Sequence, residues 1–263
     1  SGAWGFASGC EIGQWFCLGL RLPLEDGDAP ATPAMVLIRA EDYSVEDDWF
    51  AVGLVATGSK RVVCKDVFVP AHRILTFAEF VTGTTPGSRL YDNRVFALPA
   101  MVVMPSILCM PALGALQGAI DDFVGRVGKR QTLSGFAADG ERIGGYATVQ
   151  SRIGGAAAAL AAGKALIEAD LADTHAQAQR SEPITVDRRI RSRLIQAYVA
   201  DMAVRGIDEL YRTTGGGGLY LSEPIQRAWR DIHAASHHAT LNWDAVSTMY
   251  GQHALGLEPI GRY

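Results

Sequence analysis

The sequence predicts an α+β protein in which a small antiparallel β-domain, a sandwich or barrel, is followed by a four-helix bundle. Up to about residue 77, short β-branched or aromatic runs alternate with Gly, Pro and Asp clusters, as strands do with turns. After Pro99 the apolar residues recur at helical spacing over long segments. We therefore divide the chain into a β-domain at 1–77, a junction at 78–100 that can line a pocket, and a helical region at 101–263.

Strands are predicted where the β-branched and aromatic residues cluster, at 15–18, 35–38, 49–52 and 61–64. Between them, residues 25–33 are rich in Asp, Pro and Gly and predict a surface loop. The first nine residues, SGAWGFASG, are typical of a strand and its turn, and the chain begins with Ser1 rather than Met. We expect the β-domain to lack its first strands and an N-terminal portion to be absent.

Four helices are predicted, at about 101–131, 146–180, 186–212 and from 223 to beyond His238. The third carries an apolar stripe, made of Ile190, Leu194, Ile195, Tyr198, Met202 and Ile207. The second is rich in Ala and Gly, and such small residues let helices approach closely. This composition favours a bundle or a subunit interface over solvent.

Composition limits the functional class. Hydrophobic residues make up 48% of the chain and charged residues 20%, as in ordinary globular proteins. A net charge of −4, with no basic stripe, argues against nucleic-acid binding. Pro105 and Pro111 interrupt the most apolar stretch, so we expect no membrane span. The four cysteines, at 10, 17, 64 and 109, form no C-x-x-C motif, which predicts reduced thiols in a cytoplasmic protein.

The segment 215–244 concentrates the polar chemistry of the chain. Its four glycines mark a loop, after which Ser222 can cap a helix and Pro224 can occupy its first turn. At helical spacing Arg227, Asp231 and His238 share one face. An alternative interpretation is a plain connector followed by a surface pair worth a few tenths of a kcal/mol.

His233 and His237 have the H-x-x-x-H spacing of a zinc helix. No Glu stands beside the first of them, whereas zinc-dependent proteases need that Glu as a general base. We therefore expect no metal at this position.

Three segments resemble the oxygenase components of two-component flavin-dependent aromatic hydroxylases, within the acyl-CoA dehydrogenase fold. In order they are SGAWGFASGCEIGQWF, WFAVGLVATGSKRVVCKDVFVPAHR and PIQRAWRDIHAASHHATLNWD. The group includes 4-hydroxyphenylacetate and 3-hydroxy-9,10-seconandrostatriene-dione hydroxylases. This resemblance implies an N-terminal helical domain, a central β-domain and a C-terminal four-helix bundle, assembled as a homotetramer, so the first of these domains is expected to be missing.

The resemblance also implies the reaction and its partners. A separate NAD(P)H-dependent reductase supplies reduced FMN or FAD, the flavin reacts with O2 to give a C4a-hydroperoxide, and the distal OH is transferred to a phenolic ring. Such a site must keep out water and must activate the phenol.

For the flavin, the resemblance places the Ser8 hydroxyl near N5, with Gly9 beside it. Thr57 and Ser59 are implied to face the pocket, although they also suit a turn before a strand. Further matching residues are implied to hold the flavin phosphates across a subunit interface. They are Arg130, Gln131, Gly215, Gly216, Gly217 and Gly218.

For the substrate, His238 best matches the family's general base, with His237 as the adjacent alternative and His233 as a structural residue. A histidine titrates near neutrality and can take the proton of a phenol. The E-G-T carboxylate common in dehydrogenases has no counterpart at this position. Arg94 and Phe96 are candidate substrate contacts, although an arginine in such a junction is often merely solvated.

Two other functional readings remain open. An acyl-CoA dehydrogenase-like flavoenzyme would need its base elsewhere, and a degenerate helical interaction module would need no chemistry at all. The joint presence of Ser8, the Arg-Asp pair and the histidines argues against the second.

Overall fold

The computed structural model describes residues 1–22, 31–127 and 142–263. They divide into two compact units, Ser1–Ala100 and Met101–Tyr263. Most of the predicted loop 25–33 lies outside the described residues, as does the predicted end of the first long helix.

The first unit contains two three-stranded antiparallel sheets. Its strands are β1 (Gly2–Trp4), β2 (Trp15–Leu22), β3 (Thr32–Arg39), β4 (Ser44–Glu46), β5 (Arg61–Cys64) and β6 (Ile74–Thr76). One sheet has the order β1-β5-β4 and the other β2-β3-β6. Side chains from both sheets share one buried cluster that includes Leu18, Val36, Ile38 and Val62. The predicted strands at 15–18, 35–38 and 61–64 are confirmed.

The predicted strand at 49–52 is wrong. This segment belongs to neither sheet, and Phe50 N–H bonds locally to the Asp48 carbonyl over 3.0 Å. Phe50 is 88% exposed. Aromatic and β-branched content here marks an exposed turn region instead of a strand.

The junction, for which the sequence shows no regular pattern, contains short helices. It holds α1 (Phe77–Thr82) and α2 (Pro86–Leu90), followed by a 3-10 turn at Arg94–Ala97. A capping box between Thr76 and Glu79 starts α1, and the Thr85 side chain caps α2. Short helices with their own caps thus replace the expected irregular chain.

The second unit is helical. Its helices are α3 (Ala100–Val103), α4 (Ser106–Val127), α5 (Ala147–Gln179), α6 (Val186–Tyr211), α7 (Pro224–Ser236) and α8 (Trp243–Ala254). The predictions for α5 and α6 are confirmed within about two residues, the uncertainty that helix ends usually carry. The first predicted helix is divided into α3 and α4 around Pro105. The sequence did not predict α8.

Close packing of α4, α5, α6 and α7 forms the main core of this unit. A side chain at Gly163 of α5 would meet the Leu113 side chain of α4 at 2.9 Å. One at Gly206 of α6 would meet Leu116 at 2.7 Å. Small residues therefore do permit the close helix approach that the composition of α5 predicted.

The stretch Ala100–Val127 is long and apolar enough, by length and composition alone, to cross a membrane. Within its most apolar window 44% is buried inside the fold, as happens in the core helix of a soluble protein. This single stretch is weak support for a membrane span.

Candidate functional site

Ser8 lies in a tight turn directly after β1. Phe6, two residues earlier, has a left-handed backbone (φ 59°), and Gly9 follows with φ 79°. Ala7 N–H donates to the Lys60 carbonyl over 2.9 Å, which fixes this turn beside the segment that leads into β5. The turn therefore brings Ser8 next to Thr57 and Ser59.

The three hydroxyls form a chain with one direction. Thr57 Oγ1 donates its proton to the Leu54 carbonyl over 2.8 Å. Because that proton is used, Ser59 must donate across the 2.9 Å contact with Thr57, and Ser8 must donate across its 2.7 Å contact with Ser59. The Oγ lone pairs of Ser8 remain free. Since Ser8 is exposed, the chain ends in a hydrogen-bond acceptor that faces outward.

Leu54 fixes the inner end of this chain. Its backbone is left-handed (φ 53°), which is costly for a side chain branched at Cγ. The Leu54 carbonyl accepts from the indole Nε1 of Trp49 over 3.0 Å as well as from Thr57. A strained backbone held by several donors is typical of functional turns.

Apolar groups are unusually exposed in the same segments. Phe6 is 82% exposed, and its ring meets Trp49 edge to face with centroids 5.9 Å apart. Phe50, Val52 and Val55 are also exposed. An acceptor hydroxyl within exposed aromatic segments suits a flat, largely apolar ligand that has a polar edge.

The other two tryptophans of this unit have structural partners. Trp4 donates its indole N–H to the Gly19 carbonyl over 2.6 Å and packs against the buried cluster. Trp15 is flanked by the guanidinium groups of Arg39 and Arg73, at 5.4 and 4.7 Å from its ring centroid. Trp4 thus contributes to the core of this unit, whereas Trp15 lies between two cations at its surface.

In the second unit, α7 is shorter than predicted. It begins at Pro224 with Glu223 at the N-cap, so Ser222 does not cap it, and it ends at Ser236. His238 therefore lies in the turn after the helix and does not share a helical face with Arg227. The predicted helix beyond His238 is wrong, because the chain turns there and the Leu241 N–H bonds the His238 carbonyl over 2.7 Å.

His233 joins two helices. Its Nε2 lies 3.0 Å from Asp208 Oδ1 of α6, and the same oxygen accepts from Trp229 Nε1 over 2.7 Å. The imidazole also packs against the Trp229 ring, with centroids 4.5 Å apart. These contacts fit the structural role expected for His233.

His237 caps the end of α7 and is exposed. Its Nδ1 lies 2.8 Å from the His233 carbonyl. A carbonyl can only accept, so Nδ1 carries a proton, and in the neutral ring Nε2 then has the lone pair. The free nitrogen of His237 is thus an acceptor.

His238 shows the opposite arrangement. The backbone N–H of Thr240 points at His238 Nδ1 over 3.2 Å, and Thr240 Oγ1 lies 2.8 Å from the same atom. Arg193, buried in α6, donates to the Thr240 carbonyl. Burial of the ring and the positive charge of Arg193 lower the pKa of His238, although the residue as a whole remains exposed.

The glycine loop forms a 3-10 turn at Gly215–Leu219. Gly215 has φ 61°, and a side chain at Gly218 would fall 1.9 Å from Thr214 Oγ1. Both positions therefore require glycine. The loop is followed by three exposed apolar residues, Leu219, Tyr220 and Leu221.

The substrate candidates lie in the 3-10 turn of the junction. The Phe96 ring packs against Tyr91 in a tilted arrangement with centroids 5.0 Å apart, and both are about half exposed. Arg94 is exposed and forms no ion pair with any residue that the structure describes. Arg130 and Gln131 lie outside the described ranges.

Residues 106–243 match the family described as "Acyl-CoA dehydrogenase, C-terminal domain", which covers more than half of the chain. The chain belongs to this family. Its fold, mixed helix and sheet, is that of the acyl-CoA dehydrogenases, as solved relatives also indicate.

Similar proteins narrow the comparison to oxygenase components. The chain is 42% identical to the FADH(2)-dependent resorcinol hydroxylase, oxygenase component, of Rhizobium sp. (strain MTP-10005), a match over 100% of this chain and 65% of that protein. The chain therefore spans about two thirds of that relative's length. The resemblance to flavin-dependent hydroxylase oxygenase components is confirmed.

Solved structures agree. The 3-HSA hydroxylase from Rhodococcus sp. RHA1 superposes with a TM-score of 0.89 at 34% identity, over 99% of this chain and 66% of that one. XiaF from Streptomyces sp., solved in complex with FADH2 and glycerol, gives a TM-score of 0.86 at 29% identity over 99% and 64%.

Sequence reasoning missed three supporting residues. Leu54 directs the hydroxyl chain, while Thr240 and Arg193 hold the His238 ring. Arg193 had a signal, since a basic residue occurs beside the apolar stripe of a helix. Thr240 and Leu54 act through backbone atoms, which side-chain patterns do not show.

Proposed function

We propose that the protein is the oxygenase component of a two-component system that hydroxylates a phenolic ring with reduced flavin and O2. The observation that carries the proposal is the directed hydroxyl chain, which ends in an exposed acceptor at Ser8. Reduced flavin carries a hydrogen on N5, whereas oxidised flavin offers only a lone pair there. An acceptor at this position therefore favours the reduced form.

The residues of the first unit fit a flavin. The Ser8 Oγ can accept from N5–H, and exposed aromatic and aliphatic side chains in the same segments suit the dimethylbenzene and pyrimidine faces of the ring. Reduced flavin, when bound, supplies with O2 the electrophilic oxygen atom that the ring attacks. Thr57 and Ser59 hold Ser8 in its orientation, and Gly9 lets the turn close.

For the substrate, we propose that His238 contacts the phenolic oxygen and lets it carry the negative charge that makes the ring nucleophilic. His237 lies beside it with a free acceptor nitrogen. Its lone pair makes His237 the second candidate for proton transfer. Arg94, an exposed cation, and Phe96, whose ring packs against Tyr91, are proposed to contact the rest of the substrate.

The flavin phosphates are assigned to the glycine loop and to Arg130 and Gln131. The sharp turn at Gly215, Gly216, Gly217 and Gly218 leaves backbone N–H groups unobstructed by side chains, which supports that assignment. The choice between FMN and FAD follows the relatives, two of which are named for FADH2. We therefore propose FADH2, with resorcinol or a related phenol as the first substrate to test.

The finer architecture is also proposed. The first unit is assigned as a central sandwich or barrel and the second as a four-helix bundle, with the domain limits 1–77, 78–100 and 101–263. The division of the chain between Ala100 and Met101 supports the limit at 100/101. A homotetramer in the cytoplasm, served by a separate reductase, completes the proposal.

The experiment is product analysis with labelled oxygen. Full-length protein is supplied with FADH2 or FMNH2, 18O2 and a phenol such as resorcinol. We expect a hydroxylated product that contains one 18O atom by mass spectrometry. Product free of label, or complete conversion of O2 to hydrogen peroxide with every phenol tried, would contradict hydroxylation.

A further inference from the structure

We propose that His238 serves as a hydrogen-bond donor through Nε2, held as a neutral ring in that tautomer by two positioning residues, Thr240 and Arg193. The chemical meaning of this inference rests on the proposed phenol hydroxylation. The state of the ring itself can be measured without flavin or substrate.

The tautomer follows from Thr240. A backbone N–H always donates, so the 3.2 Å contact from Thr240 N to His238 Nδ1 requires a lone pair on Nδ1. Thr240 Oγ1, 2.8 Å from the same nitrogen, can add a second donor. A neutral imidazole with its lone pair on Nδ1 carries its proton on Nε2. Nε2 is therefore the atom left to meet a ligand, and it offers N–H.

Arg193 disfavours a second proton on the ring. It is only 3% exposed, and its hydrogen bonds go to neutral acceptors: the carbonyls of Thr240 and Arg262 and the side chain of Gln196. Burial lowers the pKa of Arg193 to about 10, still high enough to keep the guanidinium charged at neutral pH.

The other titratable groups here do not offset this charge. Cys109 of α4 faces Arg193, and burial raises its pKa to about 11, so that thiol stays neutral. His237 adjoins the ring in the chain, and Arg262 belongs to the C-terminal tail. In the described parts of the chain, no carboxylate comes within ion-pair distance of His238 or Arg193. Repulsion from Arg193 therefore reaches the ring without a balancing anion.

The consequence for the reaction concerns the phenol proton. His238 has no free lone pair at Nε2 and cannot accept a proton there while Thr240 holds Nδ1. The phenol O–H bond instead breaks with loss of the proton to water, and the resulting phenolate oxygen accepts the His238 Nε2–H. The histidine thus stabilises the ionised phenol instead of ionising it, which revises the general-base role expected from the resemblance.

The test is NMR of the full-length protein with 15N-labelled histidine, without flavin or substrate. His238 is assigned by loss of its signal in the His238→Gln variant. We expect Nε2 to be protonated and Nδ1 unprotonated, with titration below the ordinary histidine pKa. His237 is an internal comparison, since its geometry predicts the opposite tautomer. A wild-type ring protonated on Nδ1 would overturn the inference.

Two pairs of variants test the positioning residues. Arg193→Met should raise the pKa of His238 measurably, while Arg193→Lys, which keeps the charge, should leave it low. Thr240→Pro, which removes the backbone donor, should increase the fraction of ring protonated on Nδ1, while Thr240→Val, which removes only the hydroxyl, should not. An unchanged pKa in Arg193→Met would remove Arg193 from the mechanism. If Arg193→Met does not fold, the Thr240 pair and the wild-type tautomer still decide the matter.

A third readout separates this inference from the proposed function. Absorbance reports the ionisation of a bound nitrophenol, and we expect wild-type protein to favour the phenolate more than His238→Ala does. The NMR results together with absent hydroxylation would leave the state of His238 standing and contradict the function. Hydroxylation together with a ring protonated on Nδ1 would support the proposed function and contradict the inferred state of His238.

Discussion

The turn that carries Ser8 in the first unit and the turn that carries His238 in the second are oriented in similar ways. They nevertheless expose opposite hydrogen-bonding groups, an acceptor and a donor. In each, a backbone group orients an exposed polar side chain: through two other hydroxyls at Ser8, and directly at His238. At Ser8 the far end is the Leu54 carbonyl, so every hydroxyl points inward and the exposed oxygen accepts. At His238 the fixed group is the Thr240 N–H, so the exposed nitrogen donates.

This difference shows that the backbone group at the hidden end decides what the exposed end can do. Hydroxyl groups both donate and accept, and they adopt whichever direction a fixed partner imposes. A serine or a histidine in a sequence motif therefore shows which side chain is present, but not whether its exposed atom donates or accepts a hydrogen bond. For a reduced flavin and a phenolate, an acceptor and a donor respectively are the useful directions.

Removal of the donor should have the largest effect. His238→Ala is expected to lower hydroxylation by ~10²-fold or more, the scale for loss of one hydrogen-bond donor to a negatively charged oxygen, with flavin affinity nearly unchanged. His238→Gln should recover part of the rate, because an amide N–H can replace the donor. Product formation with reduced flavin in excess is the measurement, and His175→Ala on the exposed side of α5 is the control.

Equal rates in His238→Ala and wild type would remove His238 from the chemistry. Equal losses in the Ala and Gln variants would mean that a donor alone is not sufficient.

Removal of the acceptor should cause uncoupling. In Ser8→Ala a larger share of the oxygen consumed should leave as hydrogen peroxide, because the N5 hydrogen of the flavin loses its partner. The ratio of peroxide to hydroxylated product measures this effect. Ser44→Ala, an exposed serine whose hydroxyl binds a strand carbonyl, is the matched control and should behave as wild type. A ratio unchanged in Ser8→Ala would make Ser8 a turn residue only.

Peroxide release should rise less when the three hydroxyls are no longer held in one hydrogen-bond direction. Thr57→Val removes the proton that Leu54 accepts, so Ser59 and Ser8 are no longer forced to point inward. We expect peroxide release between those of wild type and Ser8→Ala, with Thr57→Ser close to wild type. Thr57→Val indistinguishable from wild type would show that the direction is set elsewhere.

The smallest effect on the reaction should come from the histidine that joins helices. His233→Ala loses a hydrogen bond to the Asp208 carboxylate, a contact worth about 1.5–3 kcal/mol of unfolding free energy for a charged partner. Denaturant unfolding should show this loss, while the hydroxylation rate of the folded fraction changes by only a few-fold. A ~10²-fold loss of rate at wild-type stability would instead assign the chemistry to His233.

Much of the fold was readable from the sequence because its periodicities are strong. β-branched runs gave three strands, and helical spacing gave α5 and α6 nearly to their ends. The strand predicted at 49–52 was wrong because the aromatic residues of this segment lie in an exposed turn. The helix predicted to continue beyond His238 was wrong because alanines and histidines can continue a helix. Hydrogen bonds in the following turn end α7 instead.

The sequence pointed to the candidate side chains of the site but not to the residues that orient them. The resemblance implied a place at the flavin pocket for each of Ser8, Thr57 and Ser59; the structure joins their hydroxyls by hydrogen bonds, and their role toward a flavin stays a prediction. Arg193 lies 45 positions before His238 in the chain, and no local pattern links the two. Its burial among neutral acceptors arises only when α6 packs against the turn that follows α7.

The most direct test of the central claim compares two reactions of the same full-length protein. Supplied with FADH2 or FMNH2 and then air, it should hydroxylate a phenol. With oxidised flavin bound and no oxygen, an acyl-CoA should leave the flavin absorbance unchanged, because no carboxylate stands where dehydrogenases carry their base. Anaerobic bleaching of the flavin by any acyl-CoA, without phenol hydroxylation in air, would contradict an oxygenase and support a dehydrogenase.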